Sequence, residues 1–198
     1  MILYGAPMPA PNPRRVRIFL AEKGINLPET TVDMRKREHK STDYRAKNSL
    51  GQIPTLELDD GATISETVAI CRYFEETNPE PPLFGRTALE KAHVDMWVRR
   101  VEFVLMTPVG NFWRHAHPYT AALLTQFKDF GESNREAYAS ALKWLDRDFI
   151  AGHDYTIADI CALSTVDFAT WIGLEMNPEH ANLAAWHQRV TARPSAQA

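Results

Sequence analysis

Hydrophobic and polar positions change their spacing several times along the first 76 residues. Residues 2–4 form a short apolar run that predicts a strand, and residues 13–23 carry apolar side chains at helical spacing before a stop at Gly24. By the same criteria, the remaining segments are strands over residues 27–34, 55–58 and 62–64, and helices over residues 41–47 and 67–76. This order predicts a small mixed sheet covered by helices.

The pattern changes at Asn78-Pro-Glu-Pro-Pro82, which cannot lie inside a helix because proline lacks the backbone N–H and clashes with the preceding turn. After it, apolar positions recur at helical spacing, which predicts helices over residues 89–115, 119–130, 135–149, 156–171 and 179–190. We therefore predict an α/β domain over residues 1–77, a linker over residues 78–87 and an all-α domain over residues 88–198.

Composition restricts the partners of this chain. Of its 198 residues, 44% are apolar and 24% are charged, as in an ordinary globular protein. The formal net charge of -3 gives no general attraction to nucleic acid or anionic lipid. No apolar run approaches the roughly 18 residues of a membrane span, and the start of the chain lacks a secretory signal pattern. We expect neither nucleic acid nor a membrane as a partner.

The two cysteines, Cys71 and Cys161, form neither a CxxC pair nor a cluster of metal ligands. Both lie in apolar helical patterns, so we interpret them as buried free thiols of a protein in the reducing cytoplasm. His115 and His117 have a spacing that suits a metal ion only with further ligands, which the sequence does not supply. We therefore expect no metal site.

Four stretches of the sequence carry a family resemblance. Asn48-Ser-Leu-Gly-Gln-Ile-Pro-Thr-Leu56, followed by Ser65-Glu-Thr-Val-Ala-Ile70, resembles the glutathione-binding motifs of the glutathione transferase family. Thr156-Ile-Ala-Asp159 and the later Trp186-His-Gln-Arg189 with Arg193-Pro194 are similar to the helix-capping motif and the terminal helix of that family. The resemblance implies a thioredoxin-like first domain, a helical second domain, a homodimer, and glutathione as the co-substrate.

Ile53-Pro54 is the centre of the first motif. The resemblance implies a cis peptide bond before Pro54. It also implies a role for Ile53, whose backbone N–H and C=O would bind the cysteinyl part of glutathione like an added strand. An ordinary trans proline that opens a strand is the alternative.

Glu66 and Thr67 stand where the last helix of the first domain is predicted to begin. Free backbone N–H groups at a helix start bind anions. The resemblance therefore implies that the γ-glutamyl carboxylate of glutathione lies on Thr67 while Glu66 faces the ammonium group. A local role is compatible with this one, because Ser65 would cap the helix and Glu66 would favour its positive end.

His39, Lys40 and Gln52 are further candidates for glutathione binding. In related classes, a histidine at the position of His39 and the residue before Ile-Pro reach the glycyl carboxylate, and we include Lys40 with them. A solvated charged loop is the alternative for all three residues.

The loop Pro7-Met-Pro-Ala-Pro-Asn-Pro13 precedes the first helix, where the family places the glutathione sulfur. We predict Asn12 as the N-cap and Pro13 as the first helical residue, so that the positive helix end lowers the pKa of the thiol. Ser-type and Cys-type members carry their catalytic residue near Ala10 to Asn12, but this loop has no Ser, Thr or Cys. Pro-Asn before the first helix resembles the bacterial nu class, whose asparagine contacts the sulfur. This implies that Asn12 donates its amide N–H to the thiolate; pure capping is the alternative.

Tyr4 is the second candidate for the sulfur contact. Its 11-residue spacing to Arg15 is similar to that of the Tyr-type classes, in which a tyrosine hydroxyl holds the sulfur. Many Ser-type members have a tyrosine at this position without using it. The sequence therefore leaves the choice between Asn12 and Tyr4 open.

A stripe at helical spacing opens the second domain and contains Trp97, Arg100, Phe103, Met106, Val109 and Trp113. We interpret most of it as core or dimer surface. In the family, the first long helix of the second domain also lines the electrophile pocket. The resemblance implies this role for Met106, Val109 and Trp113.

Two functional hypotheses follow. In the first, the protein is a glutathione transferase that directs the glutathione thiolate at a small hydrophobic electrophile, a disulfide or a peroxide, so that the co-substrate supplies the nucleophile. Likeness to the nu class favours disulfide or peroxide reduction. The second hypothesis is a non-catalytic module of the same fold for ligand binding or protein assembly. The missing Ser and Cys favour it, and the motifs at Ile53-Pro54 and Glu66-Thr67 disfavour it.

Overall fold

The chain folds into two units in the computed structural model, which describes residues 1–145, 148–176 and 180–198. The first unit comprises Met1–Leu83 together with the C-terminal segment Pro194–Ala198, and the second comprises Phe84–Arg193. The presence of the C-terminal segment in the first unit is a feature that the hydrophobic pattern does not predict.

A four-stranded mixed sheet forms the centre of the first unit, with the strand order β2-β1-β3-β4. The strands are β1 (Ile2–Gly5), β2 (Glu29–Thr31), β3 (Thr55–Glu57) and β4 (Thr63–Ser65). β1 runs parallel to β2 and antiparallel to β3, and β3 is antiparallel to β4. The predicted mixed sheet is confirmed, although β2 is shorter than the segment predicted for it.

In the first unit, all of whose residues are described, the α-helices are α1 (Pro11–Glu22), α2 (Thr42–Lys47) and α3 (Thr67–Thr77). α1 packs against α3. The apolar residues that they bury include Val16, Phe19, Ile70 and Phe74. Burying a side chain of this size contributes about 1.5–3 kcal/mol relative to leaving it exposed, so this packing stabilises the helix that leads into the candidate site.

Lys23 joins the end of α1 to the segment that follows α3. Its Nζ lies 2.6 Å from Glu75 Oε2 and donates hydrogen bonds to the backbone oxygens of Asn78 (2.8 Å) and Pro81 (2.5 Å). The side chains of Lys23 and Glu75 are 0% and 7% exposed, so their charges are compensated by each other and by backbone groups rather than by water.

Two predicted helix starts differ from the structure. α1 begins at Pro11, with Ala10 in the N-cap position and no side-chain cap, so the prediction that Asn12 caps this helix is wrong. Proline is favoured in the first helical turn, and both Pro11 and Pro13 meet that condition. Ser65 is the last residue of β4 and not a helix cap, because Glu66 occupies the N-cap position of α3.

The described part of the second unit is built from helices α4 (Ala88–Arg100), α5 (Thr107–His115), α6 (Lys128–Trp144), α7 (Ile157–Trp171) and α8 (Ala181–Thr191). The single helix predicted over residues 89–115 is interrupted by a π-helical segment, Val101–Met106. The wider π turn shifts the register of side chains, and the predicted stripe is split: Trp97 is buried, whereas Phe103 is 67% exposed. None of the described helices has the length and apolar character needed to cross a bilayer.

The prediction of a helix over residues 119–130 is wrong, because Pro118–Ala122 forms a 3-10 helix and α6 begins only at Lys128. Thr120 Oγ1 donates to the carbonyl of Trp113 (2.7 Å), and Gln126 Nε2 donates to that of His117 (2.8 Å). Such local bonds between side chain and backbone compete with helix formation.

α6 also starts earlier than the helix predicted over residues 135–149. Residues 146 and 147 of that prediction, and residue 179 at the predicted start of the last helix, lie outside the described residues.

Asp159 is fully buried and holds the start of α7. Thr156 is the N-cap, and its backbone N–H donates to Asp159 at 2.9 Å, which confirms the predicted capping box. The Asp159 carboxylate also accepts from the N–H of Ile150 (3.0 Å) and from Trp186 Nε1 (2.9 Å), which connects α7 to α8. Burial raises the pKa of Asp159, and the hydrogen-bond donors oppose that shift because they favour the charged carboxylate.

Replacing Asp159 by Asn should destabilise the fold by about 2–3 kcal/mol, because an amide NH₂ would face N–H donors that now point at a carboxylate oxygen. Urea unfolding would measure this loss as a lower midpoint. Asp154→Asn, at an exposed position of the preceding loop, is the matched control and should leave the midpoint unchanged. Equal midpoints for wild type and Asp159→Asn would contradict the role assigned to this carboxylate.

Candidate functional site

Three chain segments leave the sheet of the first unit at the same end. Thr55, the first residue of β3, pairs with Tyr4 near the end of β1 and with Ser65, the last residue of β4. Both pairings are antiparallel. The loop after β1, the Ile53-Pro54 segment before β3 and the start of α3 after β4 therefore lie at this end of the sheet. The register of the sheet thus brings together three of the sequence-predicted site segments.

Asn12 is the second residue of α1 and is half-buried. Its Oδ1 is buried, and its side chain makes no hydrogen bond to any residue that the structure describes. The α1 start also lacks a side-chain cap. Because the dipole of a helix favours a negative charge at this end, the amide NH₂ of Asn12 is the group that suits an anionic ligand, whereas its Oδ1 is an acceptor. Pro11 and Pro13 supply no backbone N–H here.

Tyr4 lies on β1 with its side chain against α2. Its hydroxyl donates to Glu57 Oε2 at 2.8 Å, and Lys47 Nζ lies 2.6 Å from the same oxygen. The hydrogen bond to Glu57, followed by burial, raises the pKa of Tyr4. The pKa of Glu57 is lowered by the hydrogen bond from Lys47, which has the largest effect, and by the hydrogen bond from Tyr4. The hydroxyl proton of Tyr4 is therefore engaged by a carboxylate within the chain.

Ile53 precedes a cis peptide bond to Pro54, as the resemblance implied. Neither the backbone N–H nor the C=O of Ile53 is hydrogen-bonded to another residue in the described ranges. Both groups are thus available for main-chain pairing with an extended ligand. The preceding carbonyl, that of Gln52, is held by Tyr44 and Asn48. Neither residue is predicted from the sequence to belong to the site, although Asn48 opens the family motif.

Glu66 links β4 to α3 with φ 69°, a left-handed conformation that is uncommon for a residue other than glycine. Such backbone strain concentrates at ligand sites. The Glu66 side chain is exposed, and Thr67 is the buried first residue of α3. No side chain caps α3, so its first N–H groups remain available for an anion.

Lys40 and His39 lie in a 3-10 helix, Glu38–Lys40. Lys40 Nζ donates to the backbone oxygens of Leu50 (3.0 Å) and Gly51 (2.7 Å), which leaves one N–H of the ammonium group for a ligand. His39 Nδ1 is buried without a hydrogen-bond partner among the described residues. Burial, together with nearby positive charges, lowers the pKa of His39 and favours the neutral imidazole. The side chain of Gln52 is exposed.

Met106, Val109 and Trp113 differ in their surroundings in the second unit. Met106 ends the π-helical segment and is half-buried, whereas Val109 is 2% exposed and so packs in the interior. Trp113 belongs to an aromatic cluster, with ring centroids 4.7–5.7 Å from those of His117, Tyr119, Phe168 and Trp171. Planar apolar ligands suit such a cluster best.

Two family models match the chain. The model of the glutathione S-transferase N-terminal domain matches residues 10–77, and the model of the C-terminal domain of the same family matches residues 126–194. The chain is 36% identical over 204 residues to glutathione S-transferase 2 of Saccharomyces cerevisiae, with 98% of this chain and 87% of the relative covered. It is 32% identical to human glutathione S-transferase theta-2, over 90% of this chain and 76% of the relative.

Comparison with solved structures gives the same family as comparison with these relatives. The crystal structure of Gtt2 from Saccharomyces cerevisiae superposes with a TM-score of 0.92 at 35% identity, covering 100% of this chain and 99% of that one. A glutathione S-transferase domain-containing protein from Marinobacter aquaeolei superposes with a TM-score of 0.91 at 36% identity, covering 98% of this chain and 99% of that one. The similarity therefore extends over both units.

Proposed function

The chain belongs to the glutathione S-transferase family, and on this premise we propose how its residues bind glutathione and activate the thiol. The protein is a glutathione transferase: the co-substrate brings the nucleophile, and the protein positions it and stabilises the thiolate. The alternative of a non-catalytic module has no support from the relatives described above, which are named as transferases.

Asn12 carries the proposed activation of the thiol. The observation that favours it is the place of Asn12 in the first turn of α1, at the positive end of a helix that no side chain caps. An amide N–H from Asn12, with the dipole of α1, would stabilise the thiolate and lower its pKa. Pro11 and Pro13 have no backbone N–H to contribute. Tyr4 is the second candidate, but it would first have to release Glu57.

Main-chain groups at the same end of the sheet would hold the rest of the glutathione backbone. The γ-glutamyl carboxylate would bind the N–H groups at the start of α3, on Thr67, while the exposed carboxylate of Glu66 faces the ammonium group. The cysteinyl part would pair with the unbonded N–H and C=O of Ile53. Pro54 keeps this segment beside β3.

The glycyl carboxylate is the remaining charged group of glutathione. We propose that Lys40, His39 and Gln52 bind it. Lys40 supplies the positive charge through the N–H that its two backbone acceptors leave over. His39, whose lowered pKa favours the neutral form, would act as a hydrogen-bond donor rather than as a cation.

The second substrate is an electrophilic carbon compound, a disulfide or a peroxide, and the likeness of the first loop to the nu class favours the latter two. Met106 and Trp113 would contact an apolar substrate, since both are only half-buried and Trp113 lies in an aromatic cluster. Val109, which is 2% exposed, would pack beneath the residues that contact the substrate and would not touch the substrate itself.

A homodimer is proposed from a line of exposed apolar side chains in the second unit. Leu89 (67% exposed), Met96 (38%) and Phe103 (67%) recur every seven residues from α4 into the π-helical segment. This spacing puts them near one face of the helix, and a stripe of exposed large apolar residues marks a contact surface. A second copy of the chain would bury it through a two-fold interface.

The compartment we propose is the cytoplasm. Cys71 and Cys161 are fully buried, and neither forms a disulfide. Free thiols persist in reducing compartments, and the glutathione thiol that the reaction needs is kept reduced there.

Replacing Thr67 by Ala should weaken glutathione binding by roughly 1–3 kcal/mol, because it removes the Thr67 hydroxyl, which would donate a charge-assisted hydrogen bond to the γ-glutamyl carboxylate beside the backbone N–H groups. Isothermal calorimetry measures the change. Thr63→Ala, on the exposed side of β4, is the control and should bind like wild type. Unchanged affinity of a folded Thr67→Ala protein would remove the Thr67 side chain from the proposed site.

Bound glutathione should titrate below the value of about 8.5 of an ordinary thiol. Ultraviolet absorbance of the thiolate, followed against pH at saturating glutathione, measures this pKa. Asn12→Ala should raise it, while the α1 dipole keeps part of the shift. Tyr4→Phe should change it little, because its hydroxyl is engaged by Glu57.

The matched control for Asn12→Ala is Asn26→Ala, at an exposed position after α1. The opposite pattern, in which Tyr4→Phe abolishes the shift and Asn12→Ala leaves it, would make this a tyrosine-type site. If the pKa of the bound thiol is not lowered and neither an activated aryl halide nor a disulfide is turned over, the results would support the non-catalytic module instead.

Phe103→Glu should separate the proposed dimer, because a charge would be buried without a partner in the interface. Sedimentation equilibrium at micromolar concentration should give twice the chain mass of 22.5 kDa for wild type and the single mass for the variant. Arg114→Glu, an exposed position elsewhere on the helices of this unit, controls for the added charge. A wild-type mass of 22.5 kDa would exclude the dimer under these conditions.

A further inference from the structure

Tyr44 and Asn48 are buried side chains, 6% and 5% exposed, that converge on one backbone carbonyl. The Tyr44 hydroxyl donates to Gln52 O at 2.9 Å and also lies 3.0 Å from Thr55 Oγ1. Asn48 Nδ2 donates to Gln52 O at 2.9 Å. Two neutral donors on one carbonyl oxygen use both of its lone pairs, so the Gln52 oxygen has a fixed direction.

The direction of this oxygen determines that of the Ile53 N–H. The carbonyl of Gln52 and the N–H of Ile53 belong to one planar peptide group, which is trans. In a trans peptide the C=O and N–H bonds point in opposite directions. Because Tyr44 and Asn48 hold the oxygen on their side, the Ile53 N–H must point away from them.

The surrounding loop is held by separate contacts. Asn48 Oδ1 accepts from the Leu50 N–H at 3.1 Å, and Lys40 Nζ donates to the carbonyls of Leu50 and Gly51. Thr55 is fixed by its pairing on both sides in the sheet. Loss of the Tyr44 hydroxyl would therefore leave Gln52 O with the donor from Asn48 alone, and the peptide between Gln52 and Ile53 would be less firmly held while the loop keeps its path.

We propose that Tyr44 and Asn48 are positioning residues for glutathione. By holding the Gln52 carbonyl they present the Ile53 N–H in one direction to the cysteinyl backbone of the co-substrate. This rests on the proposed function, in which Ile53 binds that part of glutathione. Because neither side chain acts on the sulfur, their contribution falls on the affinity for glutathione and not on thiol activation.

Tyr44→Phe tests this proposal by removing one hydroxyl from the buried site. The dissociation constant of glutathione should rise roughly tenfold, about 1.4 kcal/mol, because the peptide must be ordered on binding. At saturating glutathione, kcat with an activated aryl halide should stay within about twofold of wild type. The pKa of the bound thiol should also stay unchanged. A merely structural loss would not separate affinity from turnover in this way.

Tyr138→Phe is the matched control. Tyr138 is 2% exposed in α6, and its hydroxyl is buried with no hydrogen-bond partner in the described part of the chain. Removal of this hydroxyl should leave glutathione affinity and kcat unchanged. Thermal unfolding of each variant measures any loss of fold.

Asn48→Asp is the second variant and keeps the test decisive if Tyr44→Phe does not fold. It preserves an acceptor for the Leu50 N–H but replaces the donor to Gln52 O by an oxygen that repels it. It should weaken glutathione binding at least as much. If a folded Tyr44→Phe or Asn48→Asp protein binds glutathione with wild-type affinity, the positioning role is overturned and the proposed function is not. Failure of the wild type to bind glutathione would overturn the proposed function as well.

Discussion

The pairing of Thr55 with both Tyr4 and Ser65 positions everything else in the candidate site. It decides that the α1 start, the Ile53-Pro54 segment and the α3 start lie at one end of the sheet. A slip of one residue would turn the alternating side chains of a strand to the opposite face. It would also move the Ile53 backbone relative to the two helix starts. The register of these short strands is therefore strongly constrained.

Polar groups around the site divide into those already satisfied within the chain and those left unengaged. The Tyr4 hydroxyl has Glu57, and the Gln52 carbonyl has two donors. In contrast, the Asn12 side chain and the Ile53 backbone have no hydrogen-bond partner among the described residues. Buried polar groups in proteins are normally paired, and we propose that glutathione bound at this end of the sheet pairs with the Ile53 backbone and with the Asn12 amide.

The elements best predicted from sequence are those set by local chemistry. The capping box of Thr156 and Asp159 depends on residues three positions apart, and both the helix and its cap are confirmed. The helix predicted over residues 119–130 fails because Thr120 and Gln126 bind backbone carbonyls, a competition that hydrophobic spacing does not report. The position of Asn12 in α1 differs from the prediction because Pro11 and Pro13 are both suited to the first helical turn, and the sequence does not choose between them.

The features of the site that sequence could not supply depend on long-range geometry. The Ile53-Pro54 motif predicts which backbone would bind glutathione, but the bond from the buried Tyr44 hydroxyl to the preceding carbonyl has no periodic signal in the sequence. The π-helical segment Val101–Met106 likewise leaves the helical spacing of the sequence intact while it turns Phe103 outward. Such effects arise from packing, which a single sequence does not display.

The C-terminal segment Pro194–Ala198 makes the first unit discontinuous along the chain. Arg14 of α1 donates to the carbonyl of Ala196 at 3.0 Å, and Ser195 donates to Glu22 near the other end of the same helix. During synthesis, α1 and the sheet leave the ribosome long before these partners exist. Helix α1 therefore completes its packing only after the whole second unit has been made. During translation the sheet can therefore form early, whereas the packing of α1 is completed late.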